Sequence, residues 1–378
     1  MAGSDRRTVG EIETLDQILK RAASVRGGVV QGLDFRSTGI DWSPIDVEGT
    51  VFLGCTFASE DDVGRLMRRG ALVFPRLPDL PYDPYRSRLY TWMELLEGFS
   101  PEVDRSLDRR IYDNFRARGR PNSDLREALA ERLHDYSIDD ALRDLLQPDE
   151  TGMTRVKAVG MMGGHGVRRD HAHFRQAART AQLLARAGYF IATGGGPGIM
   201  EAANLGAYLG GEDAPALEGA LSILSEAPAG SDRDYFRQAR VVLERHATGL
   251  TNVAVPTWFY GHEPSNLFGT HIAKYFSNSL REDGLLALCL HGVVFAPGSA
   301  GTWQEVFMDA AQNHYGSLGW VSPMAFLGRE AYVTTGLYPL LERLAEGRTY
   351  RGMLSCSDDP AEIVAFLQDH PPLRVETP

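Results

Sequence analysis

Two glycine-rich turns are the features of this chain best suited to binding a ligand. The first is T-G-G-G-P-G-I-M-E-A-A-N (193–204) and the second is P-G-S-A-G-T-W-Q-E (297–305). Each follows a short apolar run typical of a strand and precedes a segment typical of a helix. Glycine lets the backbone approach a ligand closely, and a helix start offers unpaired N–H groups and a partial positive charge. The pattern predicts two anion sites of the kind most often used for phosphate.

Charged residues accompany the second turn. Glu305 falls in the first turn of the predicted helix, where the helix dipole favours a carboxylate. Its position alone is that of an ordinary N-terminal helix acid. Upstream, Arg281 is either a functional cation or a surface arginine paired with Glu282 or Asp283. Lys274 is the alternative cation for the same site.

Taken together and in this order, the two motifs resemble those of the LOG ("lonely guy") family. That family comprises phosphoribohydrolases that release a base from a nucleoside 5′-monophosphate, and its members are often mislabelled as lysine decarboxylases. The resemblance extends over about residues 155–370, and the chain length is nearer to that of the longer bacterial nucleotide nucleosidases of the same superfamily. One departure is visible, because the family usually has P-G-G where this chain has Pro297-Gly298-Ser299. Serine keeps a small side chain there and adds a hydroxyl.

The resemblance implies a role for each of these residues. Glu305 is the counterpart of the family's catalytic glutamate. Arg281 is the counterpart of a required arginine and lies sixteen residues before Pro297, one residue more than the usual family spacing. The expected phosphate-binding residues are Gly194, Gly195, Gly196, Gly198, Gly298, Ser299, Gly301 and Thr302, and the candidates for lining the substrate cleft are His165, Met200, Glu201 and Asn266.

The elements that must position these residues alternate between strands and helices over 151–378. This alternation predicts a Rossmann-like, doubly wound parallel sheet with helices on both faces, which binds ligands at the carboxyl ends of its strands. The stretch Gly164-x-Gly166-x-x-Arg169 lacks the third glycine of a dinucleotide fingerprint, and G-K-[ST] is absent from the sequence. NAD and ATP are therefore disfavoured. Among the predicted elements are strands at 156–160, 221–224, 252–255, 292–296 and 324–327, and helices at 266–279 and 302–313.

Residues 1–150 are predicted to form an α+β extension with a scaffold or regulatory role. A helix is expected at 15–23, and two or three more between 91 and 146, the last of them short and capped by Ser137. Between them, apolar or small residues recur every five positions, a period that fits neither a helix nor a flat strand. Pentapeptide repeats coiled into a square β-helix and short strands with turns at 37–39 and 48–49 explain this equally well. The recurring residues are Val30, Phe35, Ile40, Ile45, Thr50 and Cys55.

Composition narrows the function classes. The net charge of −11 argues against broad nucleic-acid binding. No apolar run reaches the length of a membrane span, and the N-terminus has no signal-peptide pattern. Three widely spaced cysteines fit a cytoplasmic protein. No H-x-x-H or H-E-x-x-H spacing occurs, so neither a metal nor another cofactor is expected.

The expected function is therefore hydrolysis of the N-glycosidic bond of a nucleoside 5′-monophosphate, giving a free base and ribose 5-phosphate. The alternative is a non-catalytic nucleotide sensor on the same fold, which the long N-terminal extension motivates. An amino-acid decarboxylase is disfavoured, because neither Lys157 nor Lys274 has the surroundings of a pyridoxal lysine. The resemblance also implies a homodimer or higher homo-oligomer, with the helices predicted at 266–279 and 302–313 as contact surfaces.

Overall fold

The computed structural model describes residues 12, 14–20, 24–100, 102–117, 124–230 and 234–375. The chain divides into two compact units. The first comprises Met1–Arg88 and Arg118–Ala141, and the second comprises Leu89–Ala117 and Leu142–Pro378. Each unit is therefore assembled from two separate stretches of the sequence.

Thirteen α-helices occur in the described part of the chain. They are α1 Leu15–Lys20, α2 Glu60–Arg68, α3 Trp92–Leu95, α4 Leu107–Ala117, α5 Leu125–Leu146, α6 Ala172–Arg186, α7 Ile199–Tyr208, α8 Ala214–Leu224, α9 Tyr235–Arg245, α10 Asn278–Leu288, α11 Ala300–Tyr315, α12 Leu337–Leu344 and α13 Pro360–Asp369.

Twelve β-strands occur in the same part of the chain. They are β1 Val29–Gln31, β2 Val51–Leu53, β3 Leu72–Phe74, β4 Lys157–Met162, β5 Tyr189–Thr193, β6 Val253–Ala254, β7 His271–Ile272, β8 Val293–Phe295, β9 Trp320–Val321, β10 Met324–Leu327, β11 Leu354–Ser357 and β12 Leu373–Arg374.

The first unit contains a short coiled stack of parallel strands. Strands β1, β2 and β3 form a parallel sheet, with Val29 paired to Val51 and Val51 paired to Leu72. Each complete coil of this stack is thus 21 or 22 residues long, close to the length of four pentapeptides. Most of the residues with the five-residue period are buried, and turns occur at 36–37 and 48–49. The two interpretations of this stretch describe one structure, short strands joined by turns and stacked as successive coils.

The second unit is built on a seven-stranded parallel sheet in the order β11-β10-β8-β4-β5-β6-β7. Helices surround the sheet, so the predicted Rossmann-like, doubly wound α/β fold is confirmed. A separate antiparallel pair, β9 and β12, lies outside it.

Successive side chains of a strand point to opposite faces of the sheet, so alternate residues line each face. On one face, apolar residues of the strands pack against apolar residues of α6, α7, α8 and α13. The strand residues of this core include Val159, Met161, Ile191, Val294, Ala325 and Leu327.

The strand predicted at 221–224 is wrong. These residues form the last turn of α8, which begins after Asp213, whose carboxylate accepts a hydrogen bond from Ala216 N. Leu217, Ala220, Leu221 and Leu224 are buried at helical spacing. An apolar run of four residues does not distinguish a strand from the buried face of a helix.

The helix predicted at 266–279 is also wrong. Within it lie the edge strand β7 and a bridge from Ile272 to Tyr90, with the next helix, α10, beginning at Asn278. Ser137 does not cap a short helix, since it lies inside the 22-residue α5. The last helix, α13, is capped by Asp359, whose side chain accepts a hydrogen bond from Ala361 N.

Candidate functional site

The strand order of the large sheet reverses between β4 and β8. The chain runs outward from β4 through β5, β6 and β7, and then returns to β8, β10 and β11 on the other side of β4. Ligands in doubly wound sheets bind at the carboxyl ends of the strands at such a reversal. The second glycine turn follows β8 directly, and the first follows β5, the other neighbour of β4.

Backbone hydrogen bonds hold the ends of these three strands together. Gly164 N donates to Pro297 O at 3.0 Å, and Ile199 N donates to Gly164 O at 3.1 Å. Gly198 has a φ of 68°, and a β-carbon there would lie 2.4 Å from Gly164 O. Glycine is required at this position because the backbone is left-handed and the space is filled.

The second turn is open to solvent. Gly298, Ser299, Ala300 and Gly301 are exposed, and no side chain of the described residues caps the start of α11. The buried Thr302 packs under the turn, and its hydroxyl would lie 2.1 Å from a β-carbon at Gly298. An exposed, uncapped helix start is the arrangement that binds an anion.

The first turn is more enclosed, and Asn266 supports it from below. Gly195, Gly196 and Gly198 are buried. The Asn266 amide donates to Gly195 O at 3.1 Å and to Gly196 O at 3.3 Å, and it is itself 3% exposed. Its polar atoms therefore shape the turn rather than face a ligand.

The other predicted lining residues differ in their surroundings. Met200 is half-buried and lies over the first turn, because β-carbons at Gly194 and Gly196 would be 2.7 Å and 2.9 Å from its side-chain atoms. His165 is exposed in the loop after β4. These two residues remain available to a ligand.

Glu201 points away into the protein interior. Its carboxylate accepts a hydrogen bond from Arg169 Nε at 3.0 Å and another from the Tyr235 hydroxyl at 2.5 Å. Burial, followed by the charge of Glu201, holds the pKa of Tyr235 well above its usual range. Glu201 thus belongs to a buried network that joins helices, and it does not line the cleft.

Arg281 and Glu305 come together at the first turn. Arg281 Nη1 lies 3.6 Å from Glu305 Oε1 and would lie 3.5 Å from a β-carbon at Gly194. The two side chains are 9% and 14% exposed. The guanidinium is also positioned by Asn278 Oδ1 at 2.9 Å and by Glu282 Oε1 at 3.5 Å. The predicted pair is thus close in space, on adjacent helices α10 and α11.

Burial raises the pKa of Glu305 to about 7, even though Arg281 lowers it, while the nearby Glu282 raises it further. A carboxyl group with a pKa near the working pH is suited to accept and return a proton.

Lys274, the alternative cation, is completely buried, with Nζ 2.8 Å from Asp108 Oδ1. That pairing leaves Arg281 as the cation beside Glu305.

Three acidic residues near the site were not predicted as functional. Glu282 accepts a hydrogen bond from Gln304 at 2.6 Å and so links α10 to α11. Asp309 is one helical turn after Glu305 and is buried, which raises its pKa to about 8. Glu263 Oε2 would lie 3.2 Å from a β-carbon at Gly196. Asp309 carries a sequence signal in its four-residue spacing from Glu305, and Glu282 carries one in its place directly after Arg281, whereas Glu263 carries none.

Metal-binding clusters and membrane-spanning helices are both absent from the described residues. No group of three or more histidine, cysteine, aspartate or glutamate side chains there is arranged to hold a metal ion. In the same part of the chain, no helix combines the length and apolar character needed to cross a bilayer.

Comparison with protein families matches residues 156–212 to the SLOG cluster4 family. This segment runs from β4 through the first glycine turn to the end of α7. SLOG and LOG-like proteins share one Rossmann-type superfamily, so the match confirms the resemblance over the segment that it covers.

Molybdenum-cofactor proteins are among the solved structures that resemble this chain. The molybdenum cofactor binding protein from the phototrophic bacterium Rippkaea orientalis is 14% identical, with a TM-score of 0.37, and the match covers 57% of this chain and 97% of that one. The Moco carrier protein from Chlamydomonas reinhardtii is 17% identical, with a TM-score of 0.36, and the match again covers 57% of this chain and 97% of that one. Comparison with curated proteins gives no match.

Proposed function

We propose that this protein hydrolyses the N-glycosidic bond of a nucleoside 5′-monophosphate. The observation that carries the proposal is the Arg281–Glu305 pair beside the first glycine turn. The second glycine turn lies where the strand order reverses, and it leads into a helix whose start has no side-chain cap among the described residues. Acid–base chemistry and anion binding are thereby supported at neighbouring strand ends. In this proposal residues 151–378 carry the catalysis, and residues 1–150 are a scaffold or regulatory extension.

The second turn is the stronger candidate for the 5′-phosphate. Its residues are exposed, and the N–H groups at the start of α11 have no side-chain cap among the described residues. A phosphate placed there gains charge-assisted hydrogen bonds and the favourable end of the helix dipole. The partly enclosed first turn, with Arg281 and Met200 over it, is left for the sugar and base.

In the proposed reaction the C1′–N bond breaks and a bond from C1′ to a water oxygen forms. Positive charge develops on the sugar ring, and the ionised Glu305 stabilises it and accepts a proton from the attacking water. The base leaves with the bonding electron pair and takes up a proton from solvent, and Glu305 then returns its own proton to solvent. Arg281 neutralises the developing negative charge of the base or clamps the substrate. The products are a free base and ribose 5-phosphate.

The test is a panel of nucleoside 5′-monophosphates and the matching nucleosides, with release of free base as the readout. Monophosphates should be turned over much faster, because only they occupy the anion site. Equal rates on AMP and adenosine would remove the phosphate role of the second turn. Tight nucleotide binding without base release would instead favour the non-catalytic sensor.

We also propose a homodimer or higher homo-oligomer, as the family resemblance implies. The segment 266–279 is not the single helix expected as a contact surface, so we place the contact on α11 and α10. Trp303 and Phe307 lie one turn apart on α11, each 39% exposed, and Leu280 on α10 is equally exposed. Light scattering at micromolar concentration should give at least twice the chain mass, whereas a monomer would contradict this proposal.

A further inference from the structure

The loop after β6 carries an unassigned carboxylate to the first glycine turn. Glu263 is half-buried, and its Oε2 would lie 3.2 Å from a β-carbon at Gly196. On the same turn, Arg281 Nη1 would lie 3.5 Å from a β-carbon at Gly194. The turn is thus flanked by a cation at one end and a second carboxylate at the other, with Met200 in contact with both glycine positions.

Buried groups fix the backbone of this loop. Trp258, which is fully buried, donates from its indole nitrogen to Asp108 Oδ1 at 2.8 Å. Lys274 Nζ donates to the carbonyl oxygen of Glu263 at 3.1 Å and is held by the same Asp108. An anchored backbone limits where the carboxylate can reach, which is the condition for a specific contact with a ligand.

The carboxylate itself is not engaged by the protein. In the part of the chain that the structure describes, no hydrogen bond or ion pair involves Glu263 Oε1 or Oε2, although its backbone is bonded. A half-buried carboxylate gains from hydrogen-bond donors, since it can only accept when ionised. Phosphate is repelled by such a group, whereas neutral hydroxyl groups are attracted.

We propose that Glu263 accepts hydrogen bonds from the 2′- and 3′-hydroxyl groups of the substrate ribose and thereby selects ribonucleotides over 2′-deoxyribonucleotides. The inference rests on the proposed function for the identity of the ligand. It assigns the first turn to the sugar and is consistent with the phosphate lying at the exposed second turn. Glu263 is a specificity-determining residue, distinct from Glu305, which acts at the reacting carbon.

The experiment compares AMP with 2′-deoxy-AMP in the full-length protein, by kcat/KM for base release and by calorimetric Kd in a Glu305→Gln background. A hydrogen bond to a charged group is worth roughly a tenfold to hundredfold change in affinity. Wild-type protein should prefer AMP by that factor. Glu263→Ala should reduce the preference to near one by weakening AMP more than 2′-deoxy-AMP, which loses only its 3′-hydroxyl contact. Glu263→Gln, which still accepts one hydrogen bond, should keep part of the preference.

Glu150→Ala is the matched control, because Glu150 is exposed in the turn before β4. It should leave the preference unchanged, and melting temperatures should show that every variant is folded. Base release from AMP and 2′-deoxy-AMP at equal rates, unaffected by Glu263→Ala, would overturn this inference and leave the proposed function intact. Binding with the expected preference but without base release would overturn the hydrolase and support the role of Glu263. Failure to bind either nucleotide would overturn both.

Discussion

Glu305 has neighbours with opposing effects on its ionisation. Burial and Glu282 favour the protonated acid, while Arg281, with its Nη1 at 3.6 Å, favours the carboxylate. The resulting pKa of about 7 leaves both forms populated near neutral pH. Stabilising a sugar cation requires the carboxylate, so protonation of Glu305 switches the proposed chemistry off.

We therefore expect kcat/KM to fall about tenfold per pH unit as the pH drops below about 7. Glu305→Gln should abolish this acidic limb and reduce turnover about 10²–10³-fold, because one electrostatic contribution to the transition state is lost. Nucleotide affinity should change little, since the charge that Glu305 opposes appears only near the transition state. The measurements are pH profiles of base release and calorimetric Kd values.

Glu346→Gln provides the control for this prediction, because Glu346 is exposed and follows α12, outside the described site. It should retain the wild-type rate and pH profile. A folded Glu305→Gln protein with unaltered base release would disprove the mechanism.

Residue type and spacing predicted two residues that the structure brings together and two others that it places in the protein interior. Glu305 and Arg281 could be predicted because a motif fixes the first and the second lies at a family spacing, and the structure places them together. Glu201 and Asn266 were predicted to line the cleft but are buried and bonded within the protein. The partner that decides the role of Glu201 is Arg169, which precedes it by 32 residues, and no local pattern reports such a pairing.

At the level of elements, periodicity predicted long, amphipathic segments correctly. Helix α11 and strands β4, β8 and β10 lie where their patterns placed them. The errors fall on short apolar runs and on the segment before α10, where Phe268, Ile272, Ala273 and Tyr275 are all buried. Burial on every side removes the alternation that distinguishes strand from helix.

Alanine substitutions at the two glycines of the second turn should have different effects on stability, because the surroundings of the two residues differ. A β-carbon at Gly298 would lie 2.1 Å from the Thr302 hydroxyl and 3.0 Å from Gly164 N, so Gly298→Ala should destabilise the protein by about 1–3 kcal/mol. A β-carbon at Gly301 has no atom within 4 Å, and alanine is the better helix former. Gly301→Ala should therefore keep or raise the melting temperature.

The same pair of variants tests the phosphate site. If a phosphate lies against the start of α11, the added methyl group of Gly301→Ala should raise the KM for AMP in a fully folded protein. Thermal denaturation and steady-state kinetics together separate packing from ligand binding. An unchanged KM in the folded Gly301→Ala protein would contradict this assignment, whereas a lowered melting temperature would contradict the stability prediction.

At the scale of the whole chain, the unit that contains the large sheet also includes residues 89–117. Tyr90 pairs with Ile272 beside the edge strand β7, and Asp108 on α4 pairs with the buried Lys274. Asp108 and Lys274 are 166 residues apart, and the residues around each of them in the sequence do not indicate that the two side chains pair. The alternation of strands and helices therefore revealed the sheet but not this earlier segment that packs with it.

The buried Asp108–Lys274 pair should contribute to the stability of the unit that contains the large sheet. Asp108→Asn would leave Lys274 with an uncompensated charge at a position of 0% exposure, and removing one partner of a buried ion pair typically costs about 3–5 kcal/mol. We expect a loss of this size in the free energy of unfolding, measured by denaturant titration. Replacing both partners, as Asp108→Leu with Lys274→Met, should recover part of the loss, because neither charge then remains buried, while the indole N–H of Trp258 loses its acceptor.

Asp113→Asn is the matched control, because Asp113 lies on the same helix and pairs with Arg109, with both side chains exposed. Exposed pairs contribute at most about 1 kcal/mol, so this variant should stay close to wild type. If Asp108→Asn were as stable as Asp113→Asn, the pair would not hold residues 89–117 to the sheet. If it were unstable as expected, the Glu263 loop should be disturbed too, since Lys274 also binds the carbonyl oxygen of Glu263. The stability of α4 and the shape of the proposed sugar site thus depend on the same buried lysine.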